Sequence, residues 1–159
     1  MNIFYLDSDP RTCAVYHCDR HVVKMCLETA QLLSTACQAM GLHDSGLYRP
    51  THPNHPCSLW VRERRENFAW TLRLMKCLLA EYTHRYNKVH KSVYAYASVL
   101  QLAREMFWLL PEGSTPPAQA MPESLRGHDP VDAYRRYYLS EKRHLLVWTR
   151  RDVPAWAQT

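Results

Sequence analysis

The chain has 159 residues, a formal charge of +5 and a pI near 8.9. With 47% hydrophobic residues and four glycines, it suits a single sizeable core and is not a disordered chain. No apolar run reaches membrane-spanning length, and the modest positive charge suits an anionic partner without naming one.

MNIFYLD opens the chain as a short apolar, β-prone run, expected to form an edge strand or an extended arm packed on helices. Asp9-Pro10 is a helix-start signal, so a short helix is predicted from Pro10 to about His17. Asp19 then caps a helix from Arg20 to Met40, unless one kinked helix runs through; Gly41 ends it. The next segment, GLHDSGLYRPTHPNHP, is a loop, and Pro56 starts a helix predicted from Cys57 to about Tyr82. A helix over His90–Leu110 stops at Pro111, and a Pro-rich loop follows over about 111–129. Asp129-Pro130 repeats the start signal for a last helix to about Trp148, and Trp156 is expected to pack in the tail. The sum is an all-α single domain of four or five main helices with an N-terminal arm and no internal repeat.

Six cysteines (13, 18, 26, 37, 57 and 77) form no CxxC pair, and several fall on apolar helical faces. With no signal-peptide pattern, they are expected to be reduced core thiols of a cytoplasmic protein.

One helical stretch, YHCDRHVVKMCLETAQLLST, organises the rest. His17, His21, Lys24, Glu28, Gln31 and Thr35 recur at steps of four and three, which puts them on one stripe. Apolar residues cover most of the remaining circumference, so the helix is expected to be buried with one polar line along it. Such a line faces a cavity, a polar network, a ligand or simply water. As an active-site wall, it offers Lys24, His17 and His21 to a phosphate, and Glu28 or Asp19 as general base. Gln31 is suited to reading an amide-like ring edge. His-x3-His is also a metal-ligand spacing, but HExxH is absent and no Asp-rich cluster completes a two-metal site.

Two further sets accompany the stripe. THPNHP places His52, Asn54 and His55 at a helix start, with Arg49 just before, as anion donors if the loop folds over the stripe. Basic residues interleaved with aromatics suit DNA contact: Arg62, Arg65, Arg85, Lys88, His90, Lys91, Lys142, Arg143, Arg150 and Arg151. Equally, such charge runs form solvated faces, and no helix-turn-helix, zinc finger or RNA-recognition signature is present.

MNIFYLDSDP, YHCDRHVVKMCLETAQLLSTA, YRPTHPNHPCSLW and YTHRYNKVHKS together resemble the phage amino acid:DNA transferases, also called α-glutamyl/putrescinyl-thymidine pyrophosphorylases. The C-terminal DPVDAYRRYYLSEKRHLLVWTRRDVPAW is similar too, so the resemblance spans nearly everything but the Pro-rich loop. It implies thymidine hypermodification in double-stranded phage DNA, in the cytoplasm of an infected bacterial host. The (pyro)phosphate of a 5-(pyro)phosphomethyl-deoxyuridine would be replaced by the amine of a free amino acid, with glycine the expected donor. No cofactor is implied, and the target base would be flipped from the duplex. Direct displacement and elimination followed by amine capture both remain open. The competing readings are a metal-dependent nuclease or phosphohydrolase built on the histidines, and a non-catalytic DNA-binding protein.

Overall fold

A computed structural model describes residues 1–158. Six helices form the frame: α1 (Pro10–Tyr16), α2 (Asp19–Ala39), α3 (Pro56–Val61), α4 (Arg65–Tyr86), α5 (Val93–Leu109) and α6 (Pro130–Glu141). Single 3₁₀ turns lie at Glu123–Leu125, Arg143–Leu145 and Ala155–Ala157, and no strand occurs among the described residues. The all-α expectation holds, and the N-terminal run is an irregular arm rather than a strand.

Asp9 caps α1, accepting from the Thr12 amide at 2.8 Å, with Pro10 at the first position. The chain breaks after Tyr16: His17 and Cys18 are extended, so two helices form here. The N-cap of α2 is Cys18, not Asp19, whose own amide donates to the Val147 carbonyl at 2.8 Å. The helix predicted over Cys57–Tyr82 is instead two. At the break, the Arg65 and Glu66 amides donate to Pro111 and Gly113 carbonyls (2.8 and 3.3 Å), so the Pro-rich loop satisfies the start of α4. Asn87, at φ 52°, closes α4 in the left-handed conformation. The last helix ends at Glu141, short of Trp148, because the following chain crosses back to α1 and α2. There the Trp148 indole donates to the Tyr16 carbonyl at 2.9 Å.

α2 is the central element, packed on α3, α4 and α5, while α1 lies on α4. Leu32, Leu33, Phe68, Leu74, Met75, Leu78 and Met106 are fully buried between them. The arm contributes Ile3, Phe4 and Leu6 to the same core. Each such side chain contributes about 1.5–3 kcal/mol by leaving water, which offsets the entropy of ordering the arm.

Candidate active site

Burial divides the predicted stripe. His17 and His21 are enclosed, Glu28 is buried near the surface, Gln31 is half-buried, and the Lys24 side chain is 59% exposed. His17 Nδ1 lies 2.7 Å from the Cys13 carbonyl, a contact that needs Nδ1–H and leaves Nε2 without a partner. Burial pulls the His17 pKa down to about 4, against the help of that carbonyl. His21 lies flat on Phe4, centroids 4.3 Å apart, with Nδ1 2.6 Å from the Tyr138 hydroxyl. Burial, then His17, Lys24 and Lys142, push its pKa down to about 3. Both rings are therefore neutral near pH 7. They brace the arm and α6 and do not supply the phosphate-neutralising cations that the spacing suggested.

Glu28 is the reactive-looking member. One carboxylate oxygen accepts the Asn2 amide at 3.0 Å. The other lies 3.4 Å from Lys24 Nζ and 3.7 Å from the α-amino nitrogen of Met1. Asn2 fixes this arrangement. Its side chain donates to the Ala120 carbonyl (2.9 Å) and accepts from the Tyr134 hydroxyl (2.9 Å) and the Cys57 thiol (3.6 Å). Three distant segments (the Pro-rich loop, α6 and α3) thus hold the arm's end against one carboxylate. Sequence reading missed Asn2 and Phe4, and took Tyr134 and Tyr138 only as aromatics for base stacking, because residue type alone does not reveal where an arm docks.

The THPNHP loop does fold over the stripe. The Thr51 amide donates to Thr35 Oγ1 at 3.1 Å, on the α2 stripe itself. His55 caps α3, its Nδ1 accepting from the Cys57 amide at 3.2 Å. Burial lowers the His55 pKa, as do the N-terminal ammonium and His52, while Glu28 opposes them. His52 adopts φ 48° with Nδ1 2.7 Å from Thr51 Oγ1. Arg49 and Asn54 are exposed and contact nothing that fixes them.

Several predicted site residues have structural partners instead. Asp19, expected as a base, accepts from Arg85 (2.8 Å) and from Thr149 Oγ1 (2.7 Å). Arg85, expected on DNA, is buried. Its Nε donates to Glu81 at 2.6 Å, and Arg151 donates to the same carboxylate at 2.8 and 3.0 Å. Burial opposes ionisation of Glu81, but the Arg151 and Arg85 hydrogen bonds hold its carboxyl below the ordinary range. Arg150 donates to the His84 carbonyl at 3.0 Å, and Arg62 to Ser58 at 3.2 Å. Arg65 pairs with Glu112 at 3.1 Å, and His90 accepts the Ser92 amide at 3.1 Å. Lys142 sits 4.9 Å over the Tyr137 ring. Lys88, Lys91 and Arg143 remain exposed and open to an anionic partner.

Among the described residues, no three His, Cys, Asp or Glu side chains are grouped to hold a metal ion. No described helix is long and apolar enough to cross a membrane.

The family model described as pyrimidine dimer DNA glycosylase matches residues 1–94. The chain belongs to the pyrimidine dimer DNA glycosylase family. The match covers the arm, Lys24, Glu28 and the loop with His52 and His55, so the Glu28 cluster lies within the family's own span. It identifies a family of DNA-acting enzymes, but not the phage transferase family that the motifs resemble. No curated protein and no solved structure matches the chain.

Proposed function

We propose that this DNA-acting enzyme uses Glu28 to direct an amine onto a carbon of a pyrimidine nucleotide, and that its specific reaction is transfer of an amino acid to thymine. The observation behind this reading is the buried Glu28 carboxylate with amines at 3.4 and 3.7 Å. A carboxylate so placed binds an ammonium and takes its proton, which frees the lone pair for attack. In the transfer, the amine nitrogen forms a bond to the exocyclic carbon of a phosphorylated 5-hydroxymethyluracil. The C–O bond breaks, phosphate or pyrophosphate leaves with the electron pair, and Glu28 holds the proton. Lys24, exposed beside Glu28, is suited to neutralising the departing negative charge. His52 and His55, on the THPNHP loop, are suited to contacting the phosphate, while Gln31, on the α2 stripe, is suited to the flipped base's edge. This chemistry requires no cofactor.

The test is nucleoside mass spectrometry on duplex DNA carrying phosphorylated 5-hydroxymethyluracil, incubated with protein and mixed amino acids, with and without chelator. A thymidine–amino acid adduct that persists in chelator is expected, with glycine the preferred amine. DNA that is bound but returned unchanged, whatever the amine, would refute the transfer.

A second reading takes the two resident amines beside Glu28, Met1 N and Lys24 Nζ, as the nucleophiles themselves. Attack by Met1 N or Lys24 Nζ at the sugar C1′ would break the glycosidic bond, the base leaving with the electron pair. Borohydride would then trap protein on DNA containing pyrimidine dimers, and peptide mapping would identify the bonded amine. Trapping without any adduct would favour excision over transfer.

A further inference from the structure

A sizeable concavity lies away from Glu28. A groove of about 940 Å³ runs between α1 and α4, from Ser8 and Asp9 at one end to His84 and Arg151 at the other. A smaller cleft of about 450 Å³ adjoins it, sharing Trp70 and Arg73.

Its charge is net positive for a physical reason. Of the two acids on its walls, Glu81 is neutralised by arginines, while Asp9 keeps its charge within hydrogen bonds from Thr12 and stands alone against three cations. Asp9 accepts from the Thr12 amide and hydroxyl, both at 2.8 Å, and Glu81 is bonded to Arg85 and Arg151. Arg11, Arg73 and Lys76 are exposed on the groove walls and make no ion pair among the described residues. Ala14 and Cys77 are small, so a chain can approach the floor closely. The Trp70 indole is held by the Ser8 carbonyl at 2.7 Å, which fixes one wall. The groove is therefore a preformed trough with spare positive charge, and none of its free cations belongs to the Glu28 cluster.

We propose that this groove binds the phosphodiester backbone of DNA flanking the target nucleotide. The inference rests on the DNA-acting reading and extends it. The arm supports it geometrically: its first residue meets Glu28 and its eighth enters the groove. Seven peptide steps span at most about 25 Å, roughly seven phosphate intervals of one strand at ~3.4 Å each. The two places are therefore no farther apart than the length of a short duplex.

The experiment measures the salt dependence of binding to a long duplex by the full chain and by Arg11→Ala/Arg73→Ala/Lys76→Ala. Arg104→Ala/Arg126→Ala/Arg136→Ala, which removes equal charge outside the groove, is the control. Each phosphate contact contributes about 0.9 to the slope, so the groove variant should lose about 2–3 units. The control should lose less than one. If melting shows the triple variant to be unfolded, Arg73→Gln and Lys76→Gln singly should each cost about one unit. A slope equal to the control's overturns the proposal. So does pyrophosphate binding that disappears in the groove variant while the DNA slope stays, since the groove would then take a free polyphosphate. Absence of salt-dependent DNA binding in the unmodified protein would instead sink the DNA-acting reading, and this proposal with it.

Discussion

Glu28→Gln isolates charge from shape. The amide keeps an oxygen to accept the Asn2 N–H now bonded at 3.0 Å, so the arm keeps its anchor. Asn2 also stays fixed by Ala120, Tyr134 and Cys57. What disappears is the negative charge 3.4 Å from Lys24 and 3.7 Å from the Met1 amine. Lys24 is well exposed, and exposed pairs of this kind contribute only about 0–1 kcal/mol. The Met1 ammonium, on a side chain only 3% exposed, also loses its counter-charge, so stability should fall by about 1–3 kcal/mol. The rate should suffer far more: losing a positioned proton acceptor typically costs about 10²–10⁴-fold. Single-turnover kinetics on modified duplex, beside a thermal melt and a DNA-binding isotherm, separates these effects. A folded, DNA-binding variant whose rate lies within a few-fold of the unmodified protein would refute the assignment of Glu28 as proton acceptor.

Other consequences follow from the same geometry. His17 is buried with a pKa near 4 against about 6.5 when unfolded, so below pH 6.5 the unfolded chain binds the extra proton. Stability should be flat above pH 7 and fall between about pH 6.5 and 4, by on the order of 3 kcal/mol for this ring alone; a melt independent of pH over that window would contradict it. Arg85→Ala leaves Glu81 and Asp19 short of a buried partner and should destabilise by about 3–5 kcal/mol, while a selective loss of DNA-binding slope without destabilisation would restore Arg85 to the DNA face. Asn2→Ala removes the arm's clamp and should cost about 1–3 kcal/mol together with most of the activity; full activity in that variant would show that the arm's end plays no part.

What the sequence revealed depended on whether the relevant partner was local. The all-α architecture was legible because apolar spacing and the Asp-Pro starts at residues 9 and 129 act over one or two turns. The break between α3 and α4 was not, because residues 62–64 carry no Gly or Pro. It exists because carbonyls at Pro111 and Gly113 receive the amides of α4. The early end of α6 has the same kind of cause, as Val147, Trp148 and Thr149 are drawn to α1 and α2. In the site, Glu28 stood out by its place on the stripe, but nothing local indicated that Asn2 would be held by residues 55 to 132 positions away. The basic residues show the limit most plainly. Arg85 and Arg151 read like Lys88 and Lys91, yet the first two meet Glu81 and the last two meet water.

The arm joins these observations. His21 gives up its charge to stack on Phe4, and that contact fixes the arm two residues from Asn2. An extended chain advances about 3.3 Å per residue. A slip of one residue at Phe4 would therefore carry the Met1 amine and the Asn2 N–H out of hydrogen-bonding reach of Glu28. The neutral histidines thus act on the chemistry through register rather than charge: they hold an apolar ring in place, and the ring's position sets what meets the carboxylate. This accounts for a stripe whose buried end consists of unprotonated rings and whose reactive end opens toward solvent at Glu28 and Lys24. In the proposed function and groove, the two ends of the arm would serve one DNA substrate, the first at the target nucleotide and the other at Ser8.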